Sequence, residues 1–175
     1  MTKQIHKLTI LFLMFILPAS AQNRVWMADG RVSFVPPAGF RAMTEAEIKL
    51  KFQRGNAPQY VSSNEQMNVT IAITFSAQPL TPEGLPQLKA AMEQALPGVI
   101  PGLNWVTREI VEMNGRPWVH LEMTSFGIDT DIHNEIYLTA FAGKMLGFNF
   151  NSTVAQHDRY KDALKQSRDT IRVVD

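Results

Sequence analysis

The cleanest hydrophobic pattern in the chain is a two-residue period over residues 67–77. One face of an extended chain would carry Val69, Ile71, Ile73 and Phe75, and the other would carry Thr70, Ala72 and Thr74. Because side chains alternate between the two faces of a β-strand, this period predicts a strand. Another strand is predicted near residues 58–63. Residues 24–35 are typical of a hairpin that turns at Asp29-Gly30, a dipeptide that accepts the positive φ of a tight turn.

Four more strands are predicted in succession, near residues 104–113, 116–126, 132–142 and 145–151. Asn114-Gly115 joins the first two of them and is the strongest short signal for a two-residue hairpin turn. Ala142-Gly143-Lys144 joins the last two. Hairpins connect antiparallel strands, so the second half of the chain is predicted to be an antiparallel meander.

Three helices are predicted around these strands. The first begins at Thr44, which can form a capping box with Glu47. The second begins at Thr81-Pro82 and carries an apolar stripe at helical spacing until Pro97-Gly98 ends it. The third spans roughly residues 154–168, with Ser152 or Thr153 as its cap.

A short last strand is predicted over residues 170–174. Leaving that strand aside, the elements follow the order ββ-α-ββ-α-ββββ-α. Helices must bury their apolar stripes against a sheet or against one another. The order therefore predicts an α+β sandwich whose second half is a meander.

The N-terminus has the pattern of a secretory signal peptide. Lys3 and Lys7 precede an apolar run over residues 8–17, and Ala19-Ser20-Ala21 supplies a cleavage pattern of small residues. The run is shorter than the roughly 20 apolar residues that span a bilayer. We therefore expect residues 1–21 to be removed on export and residues 22–175 to form one domain in the periplasm or outside the cell.

The cysteine count and the net charge limit the kinds of molecule that we expect this protein to bind. The sequence contains no cysteine, so we expect neither disulfides nor a lipid anchor attached to cysteine. The formal net charge is +1, and loss of Lys3 and Lys7 lowers it by two. A nearly neutral protein without basic runs has no general attraction to nucleic acid or anionic lipid. We expect no nucleic-acid partner and no membrane span.

Four segments carry a resemblance to a known superfamily. They are DGRVSFVPPAGF at residues 29–40, NVTIAITF at 68–75, MNGRPWVHLEM at 113–123 and FNFNSTVAQHDRYKDALKQSRDTIRV at 148–173. With this order of elements, the chain resembles the PsbP-like superfamily, including DcrB-like exported bacterial proteins, over most of residues 25–174. The resemblance implies a three-layer α/β/α sandwich around a mainly antiparallel sheet, and a role in binding or assembly. It carries no functional residue over to this sequence.

The candidate functional residues lie on two neighbouring strands of the meander. His120 and Glu122 alternate with apolar residues on one strand, as His133 and Glu135 do on the other. If the apolar sets share a face, all four polar side chains share the opposite face. We expect His120 to pair across the strands with Glu135, and Glu122 with His133. Two aromatic residues complete this face, so the predicted ligand-binding set is Trp118, His120, Glu122, His133, Glu135 and Tyr137.

Three interpretations of this face stay open. Two histidines and two carboxylates could hold zinc in a small metal-dependent hydrolase. Cross-strand charge pairs on a hydrated face would need no metal. A helix over the face would bury the cluster and require hydrogen bonds for its polar groups. We expect charge pairing without metal or cofactor, and a raised pKa for His133 if it pairs only with a carboxylate.

The chemistry of the sequence favours binding over catalysis. It contains no cysteine, no Gly-x-Ser-x-Gly, no phosphate loop, no dinucleotide fingerprint and no His-Glu-x-x-His. The predicted function is a non-catalytic binding or assembly role in a bacterial envelope, with an unknown protein or small molecule as partner. The alternative is the metal-dependent hydrolase that uses His120, Glu122, His133 and Glu135.

Overall fold

Ten strands and three helices form the fold in a computed structural model that describes residues 23–53, 57–127 and 129–175. The first half contains β1 (Val25–Met27), β2 (Val32–Phe34), β3 (Arg41–Ala42), α1 (Glu45–Lys51), β4 (Tyr60–Ser63), β5 (Val69–Pro79) and α2 (Leu85–Val99). The second half contains β6 (Asn104–Met113), β7 (Arg116–Phe126), β8 (Asp131–Phe141), β9 (Lys144–Thr153), α3 (Val154–Asp169) and β10 (Arg172–Val173). A 3₁₀ turn (Pro82–Gly84) precedes α2. The predicted signal peptide at residues 1–21 lies outside the described residues.

The main sheet has seven strands in the order β3-β4-β5-β9-β8-β7-β6. All of its neighbouring strands are antiparallel, and β6 to β9 form the predicted meander. A second sheet has three strands in the order β1-β2-β10. In the ranges that the structure describes, no helix is both long and apolar enough to cross a bilayer.

Helices cover both faces of the main sheet. On one face, Leu85 and Leu88 of α2 pack in a cluster with Leu121 of β7, and Ile48 of α1 packs against a separate cluster that contains Val61. On the other face, α3 and the three-stranded sheet pack against the sheet through one larger cluster. That cluster includes Val32, Phe34, Ile71, Ile73, Trp118, Phe148, Phe150, Leu164 and Ile171. The predicted three-layer α+β fold is confirmed.

Two turns and one cap follow the local sequence closely. Asn114 and Gly115 have φ values of 55° and 72°, and Met113 pairs with Arg116, as a two-residue turn of type I′ requires. Ala142 and Gly143 form a second such turn with φ values of 49° and 72°. At the start of α1, both hydrogen bonds of the capping box between Thr44 and Glu47 are present.

The first hairpin has a longer loop than predicted. Met27 pairs with Val32, so four residues connect the strands rather than Asp29 and Gly30 alone. Ala28 also adopts a positive φ of 50°, and two overlapping turns result, because the amide of Gly30 donates to Met27 and the amide of Arg31 donates to Ala28.

Pro97-Gly98 does not end α2, which continues to Val99. Pro97 removes a single donor in the last turn, and the amide of Ile100 still donates to the carbonyl of Leu96. A proline this close to the end of a helix shortens it little. The two-residue strand β3 was not predicted, and it extends the main sheet beyond β4.

Candidate functional site

A strip of polar side chains on β7 and β8 lies beneath α3. We call it the polar strip, and it consists of His120, Glu122, His133, Glu135 and Tyr137. Each of its two histidines is only 8% exposed. The strip therefore lies under a covering helix, which was one of the three interpretations of this face, and is not an open, hydrated surface.

The register between β7 and β8 differs from the predicted one by two residues. His120 lies opposite Tyr137, and Glu122 lies opposite Glu135. The loop is centred one residue later than expected, since Phe126 pairs with Asp131. A shift of two residues keeps every side chain on its face. The expected partners still meet, but diagonally: His120 Nε2 lies 3.3 Å from Glu135 Oε1, and His133 Nε2 lies 2.9 Å from Glu122 Oε1.

We call one end of the strip the paired end, defined by His120, Glu135, Tyr137 and Arg168 of α3. Arg168 Nη1 donates to the Tyr137 hydroxyl at 2.8 Å and to Glu135 Oε1 at 3.3 Å. The Tyr137 hydroxyl donates to the same carboxylate oxygen. The ring of His120 stacks on that of Tyr137, with 4.5 Å between centroids and 4° between planes. Glu109 of β6 completes the set, 3.3 Å from His120 Nδ1.

The charges at the paired end stabilise one another. Burial lowers the pKa of His120, but Glu135 and Glu109 outweigh it and the net pKa is raised. Burial raises the pKa of Glu135, but His120, Tyr137 and Arg168 outweigh it and the net pKa is lowered. Burial and the neighbouring Glu135 raise the pKa of Tyr137. Near neutral pH the carboxylate is therefore ionised and the phenol is protonated.

A groove of about 260 Å³ opens beside the paired end. His120 and Tyr137 line it from the sheet, Arg168 and Asp169 line it from α3, and Glu109 and Glu112 line it from β6. Both β6 glutamates and Asp169 are exposed. The groove thus combines an aromatic wall with a mostly acidic rim.

Trp118 lies apart from this groove. Its side chain is 1% exposed and packs edge-on against Phe148 in the core. The indole N–H donates to the carbonyl of Met113 at 3.3 Å. Of the six predicted ligand-binding residues, His120 and Tyr137 line the groove, whereas Trp118 supports the sheet beneath it.

The other end of the strip, which we call the histidine end, contains Glu122, His133 and His157. His157 comes from the first turn of α3, and its ring lies 3.7 Å from that of His133, centroid to centroid. Potential ligand atoms of the three residues all lie within 4.8 Å of one another. Glu122 Oε2 accepts a hydrogen bond from the Thr107 hydroxyl at 3.2 Å. Its other oxygen is the one beside His133.

The raised pKa expected for a His133 that pairs only with a carboxylate does not arise, because His157 is a second neighbour. Burial lowers the pKa of His133, the neighbouring His157 lowers it further, and Glu122 does not compensate. No local pattern indicated this neighbour, because His157 reaches the strip only through the placement of α3.

The four residues of the alternative metal site do not converge. His120 and Glu135 belong to the paired end, and Glu122 and His133 belong to the histidine end. In the described part of the chain, the group able to offer three ligand atoms at one point is Glu122, His133 and His157. The fold therefore does not bring His120, Glu122, His133 and Glu135 together as the metal ligands of a hydrolase.

Comparisons with known proteins show the fold. No protein-family model and no curated protein matches the chain. The solved structure of cyanobacterial PsbP (CyanoP) from Synechocystis sp. PCC 6803 matches with a TM-score of 0.63 and 14% identity, over 93% of this chain and 99% of that chain. LpqN, involved in cell envelope biogenesis of Mycobacterium tuberculosis, matches with a TM-score of 0.59 and 12% identity, over 87% and 90% of the two chains.

A protein of unknown function from Pseudomonas aeruginosa also matches, with a TM-score of 0.52 and 12% identity, over 85% of this chain and 94% of that chain. Identities this low show the fold alone. The chain has a PsbP-like fold, which confirms that part of the resemblance. Membership of the DcrB-like group stays a prediction.

Proposed function

We propose that this chain is an exported, non-catalytic binding protein of the bacterial cell envelope, related to the DcrB-like proteins, and that the groove at the paired end is its binding site. The groove itself carries the proposal. Its walls are held in place by contacts within the protein, so little order is lost when a ligand enters. The signal-peptide pattern at residues 1–21 and the structural likeness to LpqN support a place in the envelope.

The chemistry of the groove suits binding better than catalysis. A catalytic site needs a nucleophile or metal, a base and a group that orients them. Here the raised pKa of Tyr137 keeps its hydroxyl protonated, and the carboxylate of Glu135 is occupied by Arg168 and the Tyr137 hydroxyl. These groups fix the shape of the groove and have no free partner with which to start a reaction.

The acidic rim indicates the class of ligand. Glu109 of β6 and Asp169 of α3 line the groove and are exposed. Arg168, the cation of the groove, is already paired with Glu135 and Asp169. Complementary charge steers partners and selects among them. A ligand with a cationic group, such as a basic protein segment or an organic amine, fits this rim.

Site-specific photo-crosslinking in cells tests the binding site. A photoreactive amino acid at position 169, which lines the groove and is exposed, should yield a discrete adduct in the envelope fraction, and the same amino acid at position 65 should not. Glu65 is a matched acidic control, because it is exposed in the turn between β4 and β5, near the opposite edge of the sheet. Adding Glu109→Lys should remove the adduct, whereas Glu65→Lys should leave it. Identical adducts from both positions, or an adduct indifferent to Glu109→Lys, would contradict the proposal.

Mass spectrometry tests export separately. We expect envelope-fraction protein to begin at Gln22, after the Ala19-Ser20-Ala21 pattern. An intact Met1 in the main species would contradict export and leave the groove to be judged by its own experiment.

A further inference from the structure

We propose that the histidine end is a binding site for a divalent transition metal ion, with Glu122, His133 and His157 as its ligands. The site is distinct from the groove and does not rest on the proposed function. No metal was expected from the sequence, because two histidines and two glutamates on adjacent strands are explained by charge pairing alone. The third ligand from α3 changes that conclusion.

The geometry brings three donors to one point from three elements. Glu122 is on β7, His133 is on β8 and His157 is on α3, with ligand atoms all within 4.8 Å of one another. Zinc binds histidine nitrogen and carboxylate oxygen at roughly 2.0–2.2 Å, so small side-chain rotations suffice to close the three donors around an ion. Two strands paired in one sheet hold two of these ligands at a fixed spacing.

The polar atoms around this point are incompletely satisfied. His157 Nδ1 is buried and has no hydrogen-bond partner in the described part of the chain. The same is true of the hydroxyl of Ser152, which lies opposite His133 on β9. Buried polar atoms without partners are uncommon in folded proteins. Coordination of an ion through Nδ1 would give this nitrogen a partner.

The second oxygen of Glu122 is held as metal-site carboxylates usually are. Glu122 Oε2 accepts from the Thr107 hydroxyl, which leaves Oε1 directed at His133. Such outer hydrogen bonds orient metal ligands.

The chemistry of the donors selects the ion. Two imidazoles and one carboxylate suit zinc, cobalt or copper, whereas calcium and magnesium prefer oxygen donors. Three protein ligands leave a fourth position for water or for a donor from a partner.

Spectroscopy with cobalt alone tests the site. Untagged protein, freed of metal by chelation, is titrated with Co²⁺ and then with Zn²⁺ in competition. We expect one equivalent of Co²⁺ to give visible d–d bands that Zn²⁺ abolishes. His157→Gln and Glu122→Gln should each weaken binding by at least about tenfold. His120→Gln is the matched control from the paired end and should leave it unchanged.

Two results would overturn the proposal. One is the absence of d–d bands in folded wild-type protein at millimolar Co²⁺. The other is equal weakening in His120→Gln and His157→Gln, which would indicate unspecific histidine binding. Circular dichroism of each variant confirms that it is folded. If His157→Gln fails to fold, His157→Asn replaces it, and Zn²⁺-dependent thermal stabilisation of the wild type but not of Glu122→Gln decides the question.

Discussion

The two ends of the polar strip contain the same pair of residue types but shift the pKa of their histidines in opposite directions. Each contains one histidine and one glutamate from β7 and β8. The helix above them makes the difference, because α3 supplies Arg168 to one end and His157 to the other. Arg168 ties a carboxylate and a phenol into a fixed cluster, whereas His157 places a second imidazole beside the first. The same pairing of one histidine with one glutamate thus belongs to a rigid wall at one end and leaves ligand atoms available at the other.

The largest effect should come from removing the cation of the paired end. Arg168→Met keeps the approximate length of the side chain but removes the positive charge that pairs with Glu135. The Glu135 side chain is only 20% exposed. Breaking a buried ion pair on one side typically costs about 3–5 kcal/mol, and partial exposure should reduce this to roughly 2–3 kcal/mol. Urea unfolding measures the loss.

His157→Leu is the matched change at the histidine end. In metal-free protein it removes a buried nitrogen that has no partner, so it should change the free energy of unfolding by less than about 1 kcal/mol. Equal losses in the two variants would remove the contrast between the two ends.

A loss smaller than that of Arg168→Met, but larger than the change in His157→Leu, is expected at the turn between β6 and β7. Asn114 donates through Nδ2 to the carbonyl of Ile171 at 2.7 Å, so this turn connects β6 and β7 to the chain beyond α3. Gly115 has a φ of 72°, and no atom lies within 4 Å of the position that a Cβ would occupy. Gly115→Ala and Gly115→Val should therefore both destabilise through backbone strain, by roughly 1–2 kcal/mol. Urea unfolding that leaves both variants as stable as wild type would show that the strain argument fails.

The smallest effects should appear in the pH dependence, with opposite signs at the two ends. His120 faces Glu109, Glu122, Glu135 and Arg168, and its folded pKa is raised. The contribution of protonated His120 to the free energy of unfolding is fully present below the unfolded histidine pKa, roughly 6.5. It is lost as the pH rises through the pKa of His120 in the folded protein.

His133 faces Glu122 and His157, and its folded pKa is lowered. Stability at that end is lost instead as the pH falls from the unfolded pKa towards the folded one. Imidazole NMR titration of metal-free protein should show His120 gaining its proton first and His133 later as the pH falls from about 9 to 5. Coincident titration curves would show that the ends do not differ electrostatically.

The local sequence was sufficient to predict the shared face of the strip, but not its exact register or the residues of α3 that contact it. Alternation placed His120, Glu122, His133 and Glu135 together, because strand parity survives a register shift of two residues. The shift itself depends on how the loop between Phe126 and Asp131 closes, which no local pattern specifies. Arg168 and His157 lie far along the chain, and only the packing of α3 brings them to the strip.

The fold, too, has features that the local sequence predicts and features that depend on distant parts of the chain. The Asn114-Gly115 turn and the Thr44 cap were predictable, since each depends on a few adjacent residues. The separation of β1, β2 and β10 into their own sheet was not, because the pairing of Arg172 with Ser33 joins distant parts of the chain.

That distant pairing has a consequence for how the protein is made. The amide of Val35 donates to the Thr170 hydroxyl, 135 residues away, and β10 adds the third strand to the small sheet. During synthesis the β1–β2 hairpin emerges early. It can pair with β10 only after nearly the whole domain has been synthesised. Contacts of such long sequence separation form slowly. A nascent chain therefore stays incompletely folded until residues 170–173 have been synthesised. Truncation before these residues should remove an edge strand of the three-stranded sheet, rather than a tail without contacts.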